Sequence, residues 1–254
     1  MTGRPYVLAE AAWKTVEHTP YTVAVLPWGA TEPHNYHLPY GTDNYETGAI
    51  AERAAEIAWN EGAKVVVLPT VPFGVNTGQL DLTLALNMNP STQFLVLGDI
   101  ARAISAQGLK KLLILNGHGG NDFRQMIREL QPQIDLFICT INWWTCVDGA
   151  AYFKEPGDHA GEMETSVMQS LEPGLVLPLT DAGAGKAKKF RIAGLREGWA
   201  WAPRRWSEVT EDTGTGNPAA ATAEKGAKFL DAVTAKIGGF LVELARADTE
   251  DLYE

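Results

Sequence analysis

The pattern that most restricts the fold of this chain is a regular alternation of short apolar runs with longer segments of helical periodicity. The apolar runs are bounded by turn-forming residues and read YTVAVLPWG (21–29), KVVVLPTVPFG (64–74), KLLILNGHGG (111–120) and DLFICTINW (135–143). The segments between them with helical spacing are 46–62, 89–108 and 121–133. Continuous apolar runs are typical of parallel strands buried on both faces, and their alternation with helices indicates βαβ units. We therefore predict an α/β fold with a mostly parallel sheet that helices cover on both faces.

The second half of the chain shows no feature that would separate a further domain. A helix is predicted at about 162–170, and the chain then continues through an irregular stretch rich in Lys, Arg and Trp (186–206), a glycine-rich turn (213–218) and a last helix (218–247). Neither an internal repeat nor a linker sequence is present. We predict one domain over residues 1–254.

Charge and hydropathy argue against two classes of partner. The chain has 21 Lys and Arg against 31 Asp and Glu, a formal net charge of −10, whereas nucleic-acid binding needs a basic surface. No apolar run reaches the roughly 18–20 residues of a membrane-spanning helix, and the N-terminus lacks the apolar stretch of a signal peptide. We therefore expect a cytoplasmic protein with no nucleic-acid or membrane partner, in which Cys139 and Cys146 are reduced and structural.

Four of the five histidines lie in polar segments that follow predicted strands, where ligands bind in open α/β sheets. In TEPHNYHLPYGTD (31–43), Glu32 and His34 are two residues apart and point to the same side of an extended segment, and Asp43 follows a loop that contains Pro and Gly. Carboxylates combined with imidazoles suit Zn²⁺ or Mn²⁺. A polar surface loop without a ligand is the alternative, but the combination favours a metal site.

The segment LNGHGGND (115–122) places His118 between glycines, which let the backbone approach a ligand closely. Asn116 and Asn121 can hold such a loop by side-chain hydrogen bonds. An ordinary strand-to-helix turn with an incidental histidine is one alternative. Phosphate binding at a helix N-terminus is another, but the segment is neither G-x-G-x-x-G nor a Walker sequence and has no Lys.

The segment GDHAGEMETS (157–166) contains Asp158, His159, Glu162 and Glu164. On a helix, residues 159 and 162 are neighbours, whereas 162 and 164 face apart. At most one of the two glutamates is therefore expected to share a site with His159. Acidic residues in the first turn of a helix also interact favourably with its dipole, which is the alternative explanation for either glutamate alone.

These segments together resemble the creatininase (creatinine amidohydrolase) family. LPWGATEPHNYHLPYGTD (26–43) is similar to the family signature, NGHGGN (116–121) and HAGEMETS (159–166) to its second and third blocks, and TGTGNPAAATAEKG (213–226) to its C-terminal block. The resemblance extends from about residue 20 to residue 240. It implies a three-layer α/β/α sandwich, a site for two divalent metal ions (Zn or Mn, with Fe as a further candidate), and hydrolysis of C–N bonds in cyclic or formyl amides.

The resemblance also implies a role for each candidate residue. The metal ligands would be Glu32, His34, Asp43, His118 and Glu162, with Asp43 bridging the two ions. Glu162 is expected because Gly120 stands where creatininase has a ligating Glu. His159 would be the catalytic acid and base, with Glu162 also acting in catalysis, and the substrate would contact Trp144, Tyr36 and Asn121. Family members commonly form homo-oligomers such as hexamers, so we expect one here.

Departures from the family pattern leave the substrate open. The block that usually reads EQHG is EPHN here, and 75–91 contains no histidine. The leading hypothesis is a hydrolase that opens a small cyclic amide or related carbonyl substrate, as creatinine amidohydrolase does. A formamide deformylase and a cyclic-ketone hydrolase are alternatives within the family, and a non-catalytic metabolite-binding protein is an alternative from another class. The stretch 186–206 is an oligomer interface, a pocket lid or a satellite core.

Overall fold

The computed structural model describes residues 3–254, and its centre is a four-stranded sheet with parallel strands only. The strands are β1 (Val23–Trp28), β2 (Val65–Val67), β3 (Lys111–Asn116) and β4 (Phe137–Asn142), in the spatial order β2-β1-β3-β4. The predicted parallel sheet is therefore confirmed. Strand β2 is shorter than its apolar run because Pro69 and Pro72 have no N–H to donate to a neighbouring strand.

Helices form parts of the segments that connect these strands and of the chain before and after them. They are α1 (Trp13–Glu17), α2 (Thr42–Asn60), α3 (Pro90–Ala106), α4 (Arg124–Leu130), α5 (Glu162–Leu171), α6 (Ala193–Glu197), α7 (Trp206–Val209) and α8 (Ala223–Arg246). Two further short strands, β5 (Gly157–His159) and β6 (Thr215–Gly216), form an antiparallel pair outside the main sheet. Helix α2 begins at Thr42, before its predicted start at 46, and this places Asp43 in its first turn.

The sheet separates two hydrophobic cores, because successive residues of a strand point to opposite faces. Val23 and Val25 of β1 belong to the core that α2, α5 and α8 cover. Ala24, Leu26 and Trp28 belong to the core on the other face, which α3 and α4 cover. This arrangement confirms the three-layer α/β/α sandwich. Within residues 3–254, no helix has both the length and the apolar character needed to cross a membrane.

Close packing between α5 and α8 depends on a glycine. Gly226 in α8 is buried, and a Cβ at this position would overlap the backbone carbonyl of Ser166 in α5. Gly239, farther along α8, is exposed and would have no atom near an added Cβ. Gly226 and Gly239 of this helix therefore differ in what packs against them.

We expect Gly226→Ala to lower the free energy of unfolding by about 1–3 kcal/mol through overpacking. Gly239→Ala is the matched control, and it should raise the free energy of unfolding by up to about 1 kcal/mol because Ala has the higher helix propensity. Urea denaturation followed by circular dichroism measures both values. Equal effects of the two substitutions would contradict the proposed role of Gly226.

Candidate metal centre

Side chains from separate parts of the chain meet at the carboxyl-terminal edge of the sheet. Glu32 and His34 follow β1, His118 follows β3, and Asp43 lies in the first turn of α2. The end of β5 and the first turn of α5 add His159 and Glu164. The first five of these six residues are 0–6% exposed. The structure thus brings together candidates from all three sequence segments.

Each of the three histidines uses one ring nitrogen to bind a backbone carbonyl. His34 Nδ1 lies 3.1 Å from the carbonyl oxygen of Glu32, His118 Nε2 lies 3.1 Å from that of Val75, and His159 Nε2 lies 2.9 Å from that of Pro33. A carbonyl oxygen only accepts, so the ring nitrogen at each contact carries the proton. In a neutral imidazole, the second nitrogen is then unprotonated and carries a free lone pair.

The second nitrogens face carboxylates. His34 Nε2 lies 2.9 Å from Asp43 Oδ1, and His118 Nδ1 lies 2.9 Å from Glu32 Oε1 and 3.0 Å from Asp43 Oδ2. Asp43 Oδ2 is fully buried and has no hydrogen bond of acceptable geometry within residues 3–254. Lone pairs that face carboxylate oxygens without a proton repel one another, so the cluster requires added positive charge.

The close approach of carboxylates and imidazoles also shifts the pKa values of His34, His118 and Asp43. Burial alone would lower the pKa of His34, but the Asp43 carboxylate outweighs it and raises this pKa to about 10. The pKa of His118 is likewise raised, against burial, by Glu32 and Asp43. The imidazolium charges in turn hold the pKa of the Asp43 carboxyl below its usual range, although burial acts in the opposite direction. The cluster can be neutralised in two ways. Protons can bind to His34 and His118, whose pKa values are raised, or a divalent cation can bind between the carboxylates and the unprotonated imidazoles.

Asp43 connects two sets of potential ligand atoms. One set is Glu32, Asp43 and His118, the second is His34, Asp43 and Glu164, and a third combines Glu32, His34 and His159; within each, the atoms lie within 4.8 Å of one another. Because Asp43 directs Oδ1 toward His34 and Oδ2 toward His118, its carboxylate belongs to two of these sets. Imidazole nitrogens and carboxylate oxygens are the ligands that Zn²⁺ and Mn²⁺ accept. The residues therefore fit two divalent ions on either side of Asp43.

The structure places Glu162 outside the cluster. Its buried carboxylate contacts Lys225 Nζ and accepts the backbone N–H groups of Lys154 and Glu155, at 2.8 Å each, so it faces away from the cluster. Glu164 takes its place among the candidate ligands. Burial, followed by the charge of the nearby Asp43, raises the pKa of Glu164 to about 7 even though His34 acts to lower it.

The expected substrate contacts have different outcomes. Trp144 and Trp143 line a cavity of about 220 Å³ above the cluster, which Glu32, His159 and Arg204 also line. Tyr36 is 60% exposed, and its hydroxyl donates to the carbonyl of Glu211, outside that cavity. The structure therefore brings Trp144 to the cluster but not Tyr36.

Asn121 belongs to the framework beneath the cluster. Its amide nitrogen donates to Asn116 Oδ1 at 3.0 Å, and its Oδ1 accepts from Gln93 Nε2 at 2.9 Å and from the N–H of Val75 at 3.1 Å. These bonds occupy the side chain, so the expected contact between Asn121 and substrate is not supported. The neighbouring Gly120 also has a packing role, since a Cβ at this position would overlap the carbonyl of Val75.

Two further residues contact the cluster, and neither was among the candidates from the sequence. Gln79 is buried, and its side-chain amide donates to Glu32 Oε2. Trp206 packs its ring against that of His159, with centroids 4.7 Å apart and planes at 64°. Gln79 lies in a loop and Trp206 is the first residue of α7, and both are far in sequence from the residues they contact. No spacing or motif could have signalled either contact.

Comparison with known proteins points to one family. The family model described as creatininase, creatinine amidohydrolase, matches residues 9–241. A solved structure described as a putative creatinine amidohydrolase from Bacteroides fragilis NCTC 9343 is 45% identical, with a TM-score of 0.92 over 98% of this chain and 99% of its own. Solved creatininases include a Zn–Zn type and an Mn form, at 23% and 22% identity with TM-scores of 0.80 and 0.78, a similarity of fold alone.

Curated relatives differ in the substrate that they act on. The mycofactocin precursor peptide peptidase of Mycobacterium ulcerans (strain Agy99) is 28% identical over 236 residues, which cover 88% of this chain and 87% of the relative. The creatinine amidohydrolase of Pseudomonas putida is 26% identical over 194 residues, which cover 66% and 73%. The similar proteins thus include both a peptidase and an amidohydrolase.

The positions of the two glutamates predict opposite results for a matched pair of variants. Glu164→Gln removes a candidate carboxylate ligand and should leave one divalent ion per chain, whereas we expect the wild type to hold two. Glu162→Gln should keep both ions, because its carboxylate lies outside the cluster. Elemental mass spectrometry on protein purified without chelator measures the content, and circular dichroism checks the fold. Metal loss in Glu162→Gln alone would restore Glu162 as the ligand.

Gln79 is expected to orient Glu32, since its amide occupies the oxygen that faces away from His118. Gln79→Leu should weaken Zn²⁺ binding by about 10–100-fold, as loss of a group that orients a ligand typically does. Gln93→Leu is the matched control, because it removes a buried amide that bonds to Asn121 instead of a cluster carboxylate. Competition with a chromophoric chelator measures both affinities, and equal losses would show that Gln79 acts only on stability.

Proposed function

The chain belongs to the creatininase family, whose characterised members similar to it are hydrolases, and we propose that it hydrolyses amide C–N bonds with two divalent metal ions. The observation that carries the proposal is the position of Asp43, whose two carboxylate oxygens face two separate sets of imidazole and carboxylate ligands. A non-catalytic metabolite-binding protein would not need this buried arrangement of charges, which is costly without bound cations.

The proposed ligands divide into two groups that share Asp43. Glu32 and His118 would hold one ion, and His34 and Glu164 the other. When bound, such ions lower the pKa of a water molecule from about 15.7 to about 7 and polarise a substrate carbonyl. The donor set favours Zn²⁺ or Mn²⁺, with Fe²⁺ as a further candidate.

His159 is the proposed proton carrier. Its Nε2–H is held by the carbonyl of Pro33, so Nδ1 is the atom that exchanges a proton with the reaction. Burial lowers the pKa of His159, as does the charge of His34, and both favour the unprotonated form of the ring. Nδ1 can accept a proton from the attacking water as its oxygen bonds to the carbonyl carbon. The same proton then moves to the leaving nitrogen as the C–N bond breaks.

The walls of the cavity restrict what reaches this proton carrier. The indole rings of Trp143 and Trp144 line one side, and Trp206 fixes the ring plane of His159 from another. A cavity of about 220 Å³ accepts a small amide group, or one amide of a larger molecule that extends outward. Creatinine-like cyclic amides are the first substrates to test, followed by formamides, cyclic ketones and peptides, since one of the curated relatives is a peptidase.

Two further expectations from the sequence stay predictions. One is assembly into a homo-oligomer such as a hexamer, which sedimentation velocity can measure. The other is the cytoplasmic location of a protein without nucleic-acid or membrane partners.

Metal content and a substrate panel test the proposed function together. The protein purified without chelator should contain about two Zn or Mn per chain, and mass spectrometry should detect ring opening, formate or peptide fragments as products. Dialysis against a chelator should abolish turnover, and Zn²⁺ or Mn²⁺ should restore it. A chain that takes up neither metal would lose the hydrolase assignment and stand as a metabolite-binding protein.

The role of His159 can be separated from general effects of losing a buried histidine. His159→Gln should keep its metal and lower kcat by about 10²–10⁴-fold, the usual contribution of a proton-transferring group. His37→Gln is the matched control, because His37 is equally buried but bonds to Thr165 Oγ1 at 2.9 Å, outside the cluster. An unchanged kcat in His159→Gln would remove this residue from the mechanism.

A further inference from the structure

The stretch that the sequence analysis left without a role has a charge opposite to that of the rest of the protein. Residues 186–205 contain seven Lys or Arg and one Glu, a net charge of +6. Since the whole chain carries −10, all other residues together carry −16. One third of the cationic side chains are therefore concentrated in a short segment of an acidic protein.

These cations surround a groove of about 700 Å³, here called the basic groove. Its charged lining comprises six cations, Lys188, Lys189, Arg191, Arg196, Arg204 and Arg205, and two carboxylates, Asp158 and Glu208. Arg204 pairs with Asp158 at 3.0 Å and Arg205 with Glu208 at 2.7 Å. The other four cations are exposed and lie within 4.0 Å of no carboxylate in residues 3–254. The groove thus offers several positive charges that no group of the protein neutralises.

The basic groove adjoins the metal centre. Arg204 and Asp158 line both the groove and the cavity above the cluster. The Arg204 guanidinium lies 4.6 Å from the ring centroid of Trp206, which packs against His159. A molecule lying in the groove would therefore reach the proton carrier at one end.

We propose that the basic groove binds carboxylate groups of an acidic peptide, one amide bond of which lies at the metal centre; this inference rests on the proposed amide hydrolysis. Unpaired cations distributed along a groove match a chain with several carboxylates better than a small anion with one. The lining of the groove also includes Phe190 and Leu195, which supply surface for the apolar parts of a peptide. A nucleic acid would meet the charge of −16 that surrounds the segment, so the peptide is favoured.

Binding of a labelled peptide tests the groove independently of catalysis. The probe is a fluorescein-labelled decapeptide rich in Glu, with matched decapeptides rich in Lys or Gln, added to the metal-loaded full chain at low salt and followed by fluorescence anisotropy. The groove variant is Lys188→Glu with Lys189→Glu. The control variant is Lys14→Glu with Arg128→Glu, which makes the same charge change at two exposed positions away from the groove.

We expect the Glu-rich peptide to bind the wild type at least about tenfold more tightly than the Gln-rich one, and more weakly as salt increases. The groove variant should lose at least about tenfold in affinity for it, with the control changing by less than about threefold. Equal losses in both variants, or equally tight binding of the Lys-rich peptide, would overturn the proposal. A sedimentation coefficient that changes in the groove variant would also overturn it, because the groove would then be an interface between copies of this chain.

Catalysis gives a separate readout from the same mixtures. Where mass spectrometry shows that the acidic peptide is cleaved, the groove variant should raise KM and leave kcat within about twofold. Binding without cleavage of any amide would contradict the proposed hydrolysis but support the groove. Cleavage with the same KM in wild type and groove variant would support hydrolysis and overturn the groove.

Discussion

The structure depends on one electrostatic constraint. Three carboxylates, two of them fully buried, face the lone pairs of two imidazoles, and within residues 3–254 no Lys or Arg forms an ion pair with these carboxylates. Asp43 and Glu32 each lie within hydrogen-bonding distance of an imidazole nitrogen. In each of these rings, the proton is on the other nitrogen, which donates it to a backbone carbonyl. Buried like charges are strongly unfavourable unless a cation or protons compensate them. The cluster therefore needs bound positive charge. Without a metal ion, protons on His34 and His118 supply it, which is why the pKa values of these two residues are raised.

The fold satisfies this constraint by using parallel strands as a rigid support. Strands β1 and β3 are neighbours, so the loops that follow them place Glu32 and His118 side by side. Hydrogen bonds to the carbonyls of Glu32, Val75 and Pro33 then fix the tautomer of each histidine. Glycine allows the required approach of backbone segments, since a Cβ at Gly117 would overlap the Thr47 hydroxyl. The two hydrophobic cores hold the strands that carry these loops in place. Their packing offsets the unfavourable free energy of burying the charged cluster.

Charge also divides the functional surface into two parts. The cluster is acidic and deeply buried, which suits cations and hydrolysis, whereas the adjoining basic groove is exposed and suits anionic groups of a substrate. Arg204 stands between them, paired with Asp158 and stacked on Trp206. The similar proteins include a creatinine amidohydrolase and a precursor peptide peptidase, and one fold can carry sites for different substrates.

The sequence by itself determined the sheet, the order of its helices and the core of the site. Periodicity predicts four parallel strands, and the positions of Glu32, His34, Asp43 and His118 after strands predict that they meet, because a parallel sheet collects such loops at one edge. The helical spacing also predicts that at most one of Glu162 and Glu164 shares a site with His159. Only the tertiary structure decided which one: Lys225 in α8 and two backbone N–H groups hold Glu162 away from the cluster. The same holds for the contact of Gln79 with Glu32 and for the exclusion of Tyr36 and Asn121. Periodicity describes a residue relative to its own element, whereas these contacts arise between elements whose relative position depends on the packing of the whole chain.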